Sequence, residues 1–186
     1  TFKFDIEIEL PGPKDKNSSP GGFALDEARG IAYVTLSRNN SVGVVNLAAR
    51  KLEQEIPAGI APYTVVLHGG KAYVSNWGGR RPKDGDVTGP SSGSRVLVNP
   101  ETGVASSGTV SVIDCASRAV LREIDVQLHP SEMAISPDGS RLYVANANSD
   151  TVSVIDTTSD VVVDAIGVKP MAELPFGCAP NALAVS

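Results

Sequence analysis

The densest run of chemically capable side chains is Trp77-Gly78-Gly79-Arg80-Arg81-Pro82-Lys83, with Arg95 twelve residues further on. Guanidinium groups fork onto carboxylate or phosphate oxygens, and an indole face stacks on planar or CH-rich groups. The run therefore suits an anionic or sugar ligand. Asn76 stands immediately before it, and the paired glycines free the chain to present both arginines. A second reading stays open: a solvated basic loop, partly neutralised by Asp84 and Asp86, with Trp77 packed on the fold.

Catalytic and metal-binding patterns are weaker. Ser91-Ser92-Gly93 lacks the G-x-S-x-G frame of an activated serine, and Gly89-Pro90-Ser91-Ser92-Gly93-Ser94 lacks the Gly-Lys-Ser/Thr ending of a phosphate loop. The candidate ligands His129, Asp84, Asp86, Cys178 and Glu173 share no spacing motif, and Asp84-Gly85-Asp86 lacks the rest of a calcium loop. The expectation is no catalytic residue, no metal and no cofactor.

The elements that must position these residues follow from composition and repetition. The chain has 186 residues, 18 of them glycine and 13 proline, with only 5% aromatics, which implies many short elements punctuated by turns. Sixteen basic against 21 acidic residues give a net charge of −5, which disfavours nucleic acid and anionic membranes as main partners. No apolar run is long enough to cross a bilayer as a helix, and Thr1 to Leu10 alternate instead of forming the core of an export signal.

Tyr-Val plus a small residue recurs at Tyr33, Tyr73 and Tyr143. Each copy is followed by Ser/Thr-Val-x-Val-x-Asp/Asn, ending at Asn46, Asp114 and Asp156, and the middle copy carries 28 residues more than the others. Pro20, Pro62, Pro130 and Pro180 each precede an aliphatic residue by five positions. Segments of four to eight residues rich in Val, Ile and Tyr, bounded by Gly, Asn, Asp and Pro, are strands. Four strands in roughly 40 residues is the unit of a β-propeller. The fold class is therefore all-β, a propeller of four-stranded antiparallel blades. The recurring Asp/Asn is expected to cap the turn between the third and fourth strands, since a residue repeated in every blade is better suited to that than to catalysis.

Ser136-Pro137-Asp138-Gly139-Ser140-Arg141-Leu142-Tyr143-Val144-Ala145-Asn146 with Thr151-Val152-Ser153-Val154-Ile155-Asp156 resembles the YVTN-repeat propeller family. That resemblance implies a bacterial or archaeal envelope protein, periplasmic or extracellular. The start of the insertion is similar to that of YVTN propellers preceding an alkaline-phosphatase-like phosphoesterase domain, a domain this chain does not contain.

The repeat predicts blades at 20–57, 62–126 and 130–166, with the insertion at 77–108. It also predicts an outer strand at 1–10 and an inner strand at 180–186, giving a fragment of three full blades with a lone strand at each end. The blade faces at the two ends then need flanking blades or a second copy. The second-to-third-strand loops and the crossovers between blades share one face, which brings His129 to the side carrying Trp77, Arg80 and Arg81 and leaves His68 on the other. Cys115 and Cys178 fall on opposite faces, too far apart to bond.

Two functions follow as expectations. One is a non-catalytic recognition or scaffold propeller that binds a small molecule or protein through Trp77, Arg80 and Arg81, with Asn76 and His129 as neighbours. The alternative is an accessory domain of a secreted phosphoesterase.

Overall fold

A computed structural model describes residues 6–13, 17–171, 173–175 and 177–186. Three antiparallel four-stranded sheets follow one another along the chain. The first contains β1 (Pro20–Asp26), β2 (Ile31–Leu36), β3 (Ser41–Asn46) and β4 (Lys51–Pro57) in sequential order. The second begins with β5 (Ile60–His68) and β6 (Lys71–Gly79). It then departs into a hairpin of β7 (Thr88–Ser91) and β8 (Ser94–Leu97), and resumes with β9 (Gly108–Asp114) and β10 (Ala119–Val126). The third contains β11 (Pro130–Ile135), β12 (Arg141–Asn146), β13 (Thr151–Asp156) and β14 (Val161–Gly167).

The register repeats from sheet to sheet. Tyr33 faces Val44, Tyr73 faces Val112 and Tyr143 faces Val154 across the two central strands. A register shift recurs in the outer strand pair of each sheet, the kind of bulge that increases local twist. At the following turns, Asn46, Asp114 and Asp156 accept the amides of Ala49, Ser117 and Ser159 at 2.8, 2.6 and 2.9 Å. The chain then passes through a left-handed residue, Arg50, Arg118 or Asp160, at φ 54–56°. The recurring Asp/Asn is the turn cap that its position implied.

Packing between sheets rests on the repeated tyrosine. Tyr33 and Tyr73 are buried, each among the aliphatic residues joining its sheet to the next. The Tyr33 hydroxyl donates to the Cys115 carbonyl at 3.3 Å. The Tyr73 hydroxyl donates to Asp160 Oδ1 at 2.7 Å and approaches the Thr157 carbonyl at 3.3 Å. Lys71 joins the second latch, pairing with Asp160 at 2.7 Å, while Arg118 pairs with Glu53 across the first junction at 2.7 Å. Tyr143 has no hydrogen-bond partner among the described residues, because its latch would reach a turn beyond the third sheet.

The ends differ from the sequence expectation. Residues 6–10 and 180–186 carry no strand, and residues 1–5 lie outside the described set. A strand exists only against a hydrogen-bonding neighbour. An outer strand at 1–10 and an inner strand at 180–186 both need blade partners that the described residues do not supply. The C-terminal segment is instead held by Asp150, whose carboxylate accepts the amides of Gly177 and Ala179 at 2.9 Å each.

The insertion also differs in detail. Residues 77–79 continue β6, and the hairpin turns at Ser92-Gly93, both at positive φ. Around Asn99–Gly103 the pairing is a single bridge between Val98 and Ala105.

Candidate functional site

Trp77 stands near the end of β6, half-buried, with two rings packed against its indole. Tyr63 stacks on it with centroids 4.6 Å apart and planes at 13°, and His129 lies at 4.1 Å, tilted by 45°. The indole is thus a fixed wall, with Tyr63 already occupying a stacking position on it. Its Nε1 is buried without a hydrogen-bond partner among the described residues.

His129 reaches this position from the crossover between β10 and β11, in a left-handed conformation at φ 60°. Its carbonyl accepts the Ala147 amide at 3.1 Å, which secures the strained backbone to the third sheet. Burial lowers the imidazole pKa below 6.5, partly opposed by a hydrogen bond with the Asn148 side chain. The ring is accordingly neutral at pH 7. Gly78 lets the insertion approach: a Cβ there would come within 2.7 Å of Ile60 and 2.8 Å of Val96.

Of the residues expected to bind ligand, Trp77 and His129 are brought into contact. Arg80 and Arg81 are turned toward protein acceptors. Arg80 makes a two-pronged pair with Asp86 at 2.7 and 3.0 Å, holding that carboxyl's pKa down to about 2. Arg81 donates to the carbonyls of Ala58 at 2.8 Å and Asn40 at 2.5 Å, fastening the insertion to the first blade. Arg95 is engaged by Thr88 within the hairpin.

Asn76 is fully buried, and its Nδ2 donates to Thr109 Oγ1 and Ser111 Oγ at 3.1 and 2.9 Å. Asn146 repeats these contacts with Thr151 and Ser153, so this asparagine ties the central strands together in both sheets. Among the described residues, no group of three His, Cys, Asp or Glu side chains converges as a metal site.

Trp77 and His129 belong to the wall of a cavity of about 410 Å³ on the insertion face. Arg38 enters from a 3-10 turn at Ser37–Asn39, Asn148 from the loop after β12, and Ser92 and Val96 from the hairpin. All three sheets contribute. Arg38 and Asn148 escaped sequence reading because each sits in a short polar turn with no spacing motif. The usable signal was topological: both turns belong to the loop class that shares a face with Trp77. A second hollow of about 390 Å³ on the opposite face is lined by Asp26, Arg29, His68, Lys71 and Cys115. Two of its charges are paired, Arg29 with Asp26 inside the hollow and Lys71 with Asp160. Cys115 is buried and Cys178 exposed.

No protein-family model matches the chain. Over 154 residues it is 23% identical to the seven-bladed beta-propeller protein Rv1057 of Mycobacterium tuberculosis, covering 80% of this chain and 33% of that protein. Its architecture is similar to the hydrazine synthase of Kuenenia stuttgartiensis, with a TM-score of 0.61 and 20% identity, covering 88% of this chain and 39% of that one. A functionally unknown protein from Desulfotomaculum acetoxidans DSM 771 superposes with a TM-score of 0.50 at 15% identity, covering 79% of this chain and 42% of that one.

The fold is a β-propeller.

This propeller chain spans about a third of the length of the curated relative it matches. Its sheets are blades, and the cavity lies on the face that carries the blade-to-blade crossovers and the insertion. No helix among the described residues is long and apolar enough to cross a membrane.

Proposed function

We propose that this propeller is a non-catalytic recognition module that binds a ligand on the face carrying the insertion. The observation that supports the reading is the cavity of about 410 Å³, assembled from loops of three blades and the inserted hairpin. Converging loops on a rigid β scaffold are a common construction for binding sites. Trp77 and His129 form the fixed wall, while Asn76, Arg80 and Arg81 hold the surrounding strands and loop in place. Placement in the YVTN-repeat class, and with it a periplasmic or extracellular location, rests on the sequence resemblance. The accessory-domain alternative rests on the likeness of the Trp77–Lys83 run alone.

A thermal-shift screen of a small-molecule library against the chain and its Ser37→Phe variant tests the reading. Ser37 lines the cavity, and the larger ring fills part of it. Ligands that raise the melting temperature of the parent should lose that effect in a variant whose circular dichroism is unchanged. Ligands that stabilise both chains equally would place recognition elsewhere.

A further inference from the structure

The proposed binding function leaves the ligand's chemistry open, and the way the blades build the cavity narrows it. The residue before each repeat proline, Ser19, Ala61, His129 or Ala179, is left-handed, at φ 45–60°. Positive φ is disfavoured for a non-glycine residue, and a following proline biases the backbone toward extended conformations instead. Neighbouring groups hold it there. The Ser19 amide donates to Asn17 Oδ1 at 2.8 Å, the Ala61 amide donates to Asn40 Oδ1 at 2.9 Å, and the His129 carbonyl accepts the Ala147 amide at 3.1 Å.

Ser19, Ala61 and His129 all line the cavity of about 410 Å³. Three positions around one hollow thus share a backbone conformation, while the side chain changes from hydroxyl to methyl to imidazole. The fold sets the shape of such a site, and single residues set what it accepts.

Ser37, Ser92 and Asn148 are in the same lining. A hydroxyl, a carboxamide and a neutral imidazole each offer both a donor and an acceptor, and burial keeps the His129 imidazole neutral at pH 7. Ligand hydroxyls, which also donate and accept, complement that set. None of the described lining residues is acidic, and the one guanidinium among them, Arg38, is already engaged within the protein. A charged ligand would leave its hydration shell here without gaining a fresh counter-ion. The hollow lies in the size range of small-molecule sites.

Resting on the recognition reading above, we propose that the occupant is an uncharged hexose, its hydroxyls exchanging hydrogen bonds with Ser19, Ser37, Ser92, Asn148 and His129.

Isothermal titration calorimetry of the chain with D-glucose, D-galactose and D-mannose tests the assignment, each hexose matched with its uronate and its 2-amino sugar. At least one hexose should bind saturably, and about tenfold or more tightly than its charged counterparts, the scale of leaving one charge unpaired. Asn148→Ala and Ser92→Ala, both at exposed positions, should each weaken that hexose by about three- to tenfold with unchanged circular dichroism.

Charged analogues that bind as tightly as the hexose, or unchanged affinity in both folded variants, overturn the sugar assignment while leaving a binding cavity. If none of the three hexoses binds, the sugar assignment fails. The recognition reading fails with it only if no library compound distinguishes the parent from Ser37→Phe.

Discussion

Removing the Tyr73 hydroxyl tests how the blades are joined. Tyr73 is fully buried, and its hydroxyl gives a 2.7 Å hydrogen bond to the carboxylate of Asp160 in the next blade. Hydrogen bonds to charged groups contribute about 1.5–3 kcal/mol, against roughly 0.5–1.5 for neutral pairs. Tyr73→Phe leaves Asp160 with its Lys71 partner at 2.7 Å, so the carboxylate is not abandoned. The expected loss therefore sits near the lower end of the charged range, about 1.5–2 kcal/mol. Tyr33 makes the corresponding contact to a neutral carbonyl at 3.3 Å, so Tyr33→Phe should cost only about 0.5–1 kcal/mol. Tyr143, the third copy, latches onto nothing among the described residues, and Tyr143→Phe should be close to neutral. Urea denaturation of the three variants, compared at constant m-value, gives the order directly. A Tyr33→Phe loss equal to or above that of Tyr73→Phe would refute the argument. So would a Tyr143→Phe loss comparable to either, because aromatic packing common to all three sites would then dominate.

Other outcomes follow from single contacts. The Asp150 carboxylate is held below its usual pKa of 3.8, chiefly by the Gly177 amide, so its stabilising contribution is full above that pH and is lost as pH falls through the lower folded value. Hydrogen exchange should show protection of the Gly177 and Ala179 amides collapsing in that acid window, and already absent at neutral pH in Asp150→Ala. His129 is also depressed, so the folded state resists protonation and loses stability as pH drops below 6.5 toward the folded pKa. Trp77 emission should be quenched by the protonated ring with a midpoint below 6.5, and His129→Gln should flatten the curve. Gly139→Ala should destabilise more than Gly30→Ala by thermal melt. Both sites have positive φ, but only the Cβ at 139 meets a ring, at 2.4 Å from His68. Arg81→Ala should lower the melting temperature by about 2–4 °C, the effect of roughly 1 kcal/mol in a chain of this size, because two carbonyl contacts to the first blade are lost.

What could be read in advance was whatever recurs at a fixed interval. The tyrosine, the turn-capping Asp/Asn and the aliphatic alternation each solve a local problem, such as a turn to close or a face to bury, and the blade sets the same problem every time. The insertion has no second copy against which to compare it. Ser92-Gly93, weighed only against nucleophile and phosphate-loop frames, forms a two-residue turn with both residues at positive φ. The arginines looked available because their acceptors are distant in sequence: Arg81 reaches Asn40, 41 positions away. The indole looked like a stacking platform because Tyr63 and His129 approach it from strands and crossovers that spacing alone does not bring together. Side chains with many geometric options carry little local information, and long-range packing decides among them.

The left-handed residue that ends each turn between outer strands also acts as an address. Arg118 at that position meets Glu53 of the first blade, and Asp160 meets Lys71 and Tyr73 of the second. The repeat aligns Lys71 with Ile31, which has no charge to offer. Docking the third blade onto the first would leave Asp160 without its lysine and bring it toward Glu53, while docking a second-blade turn against another second blade would set Arg118 beside Lys71. Near-identical modules on one chain risk assembling out of sequence, and the opposed charges of Arg118 and Asp160 at one shared position make an exchange of the second and third turns repulsive or unpaired. The second and third blades are thus told apart at a turn residue whose backbone conformation they share and whose charge they do not.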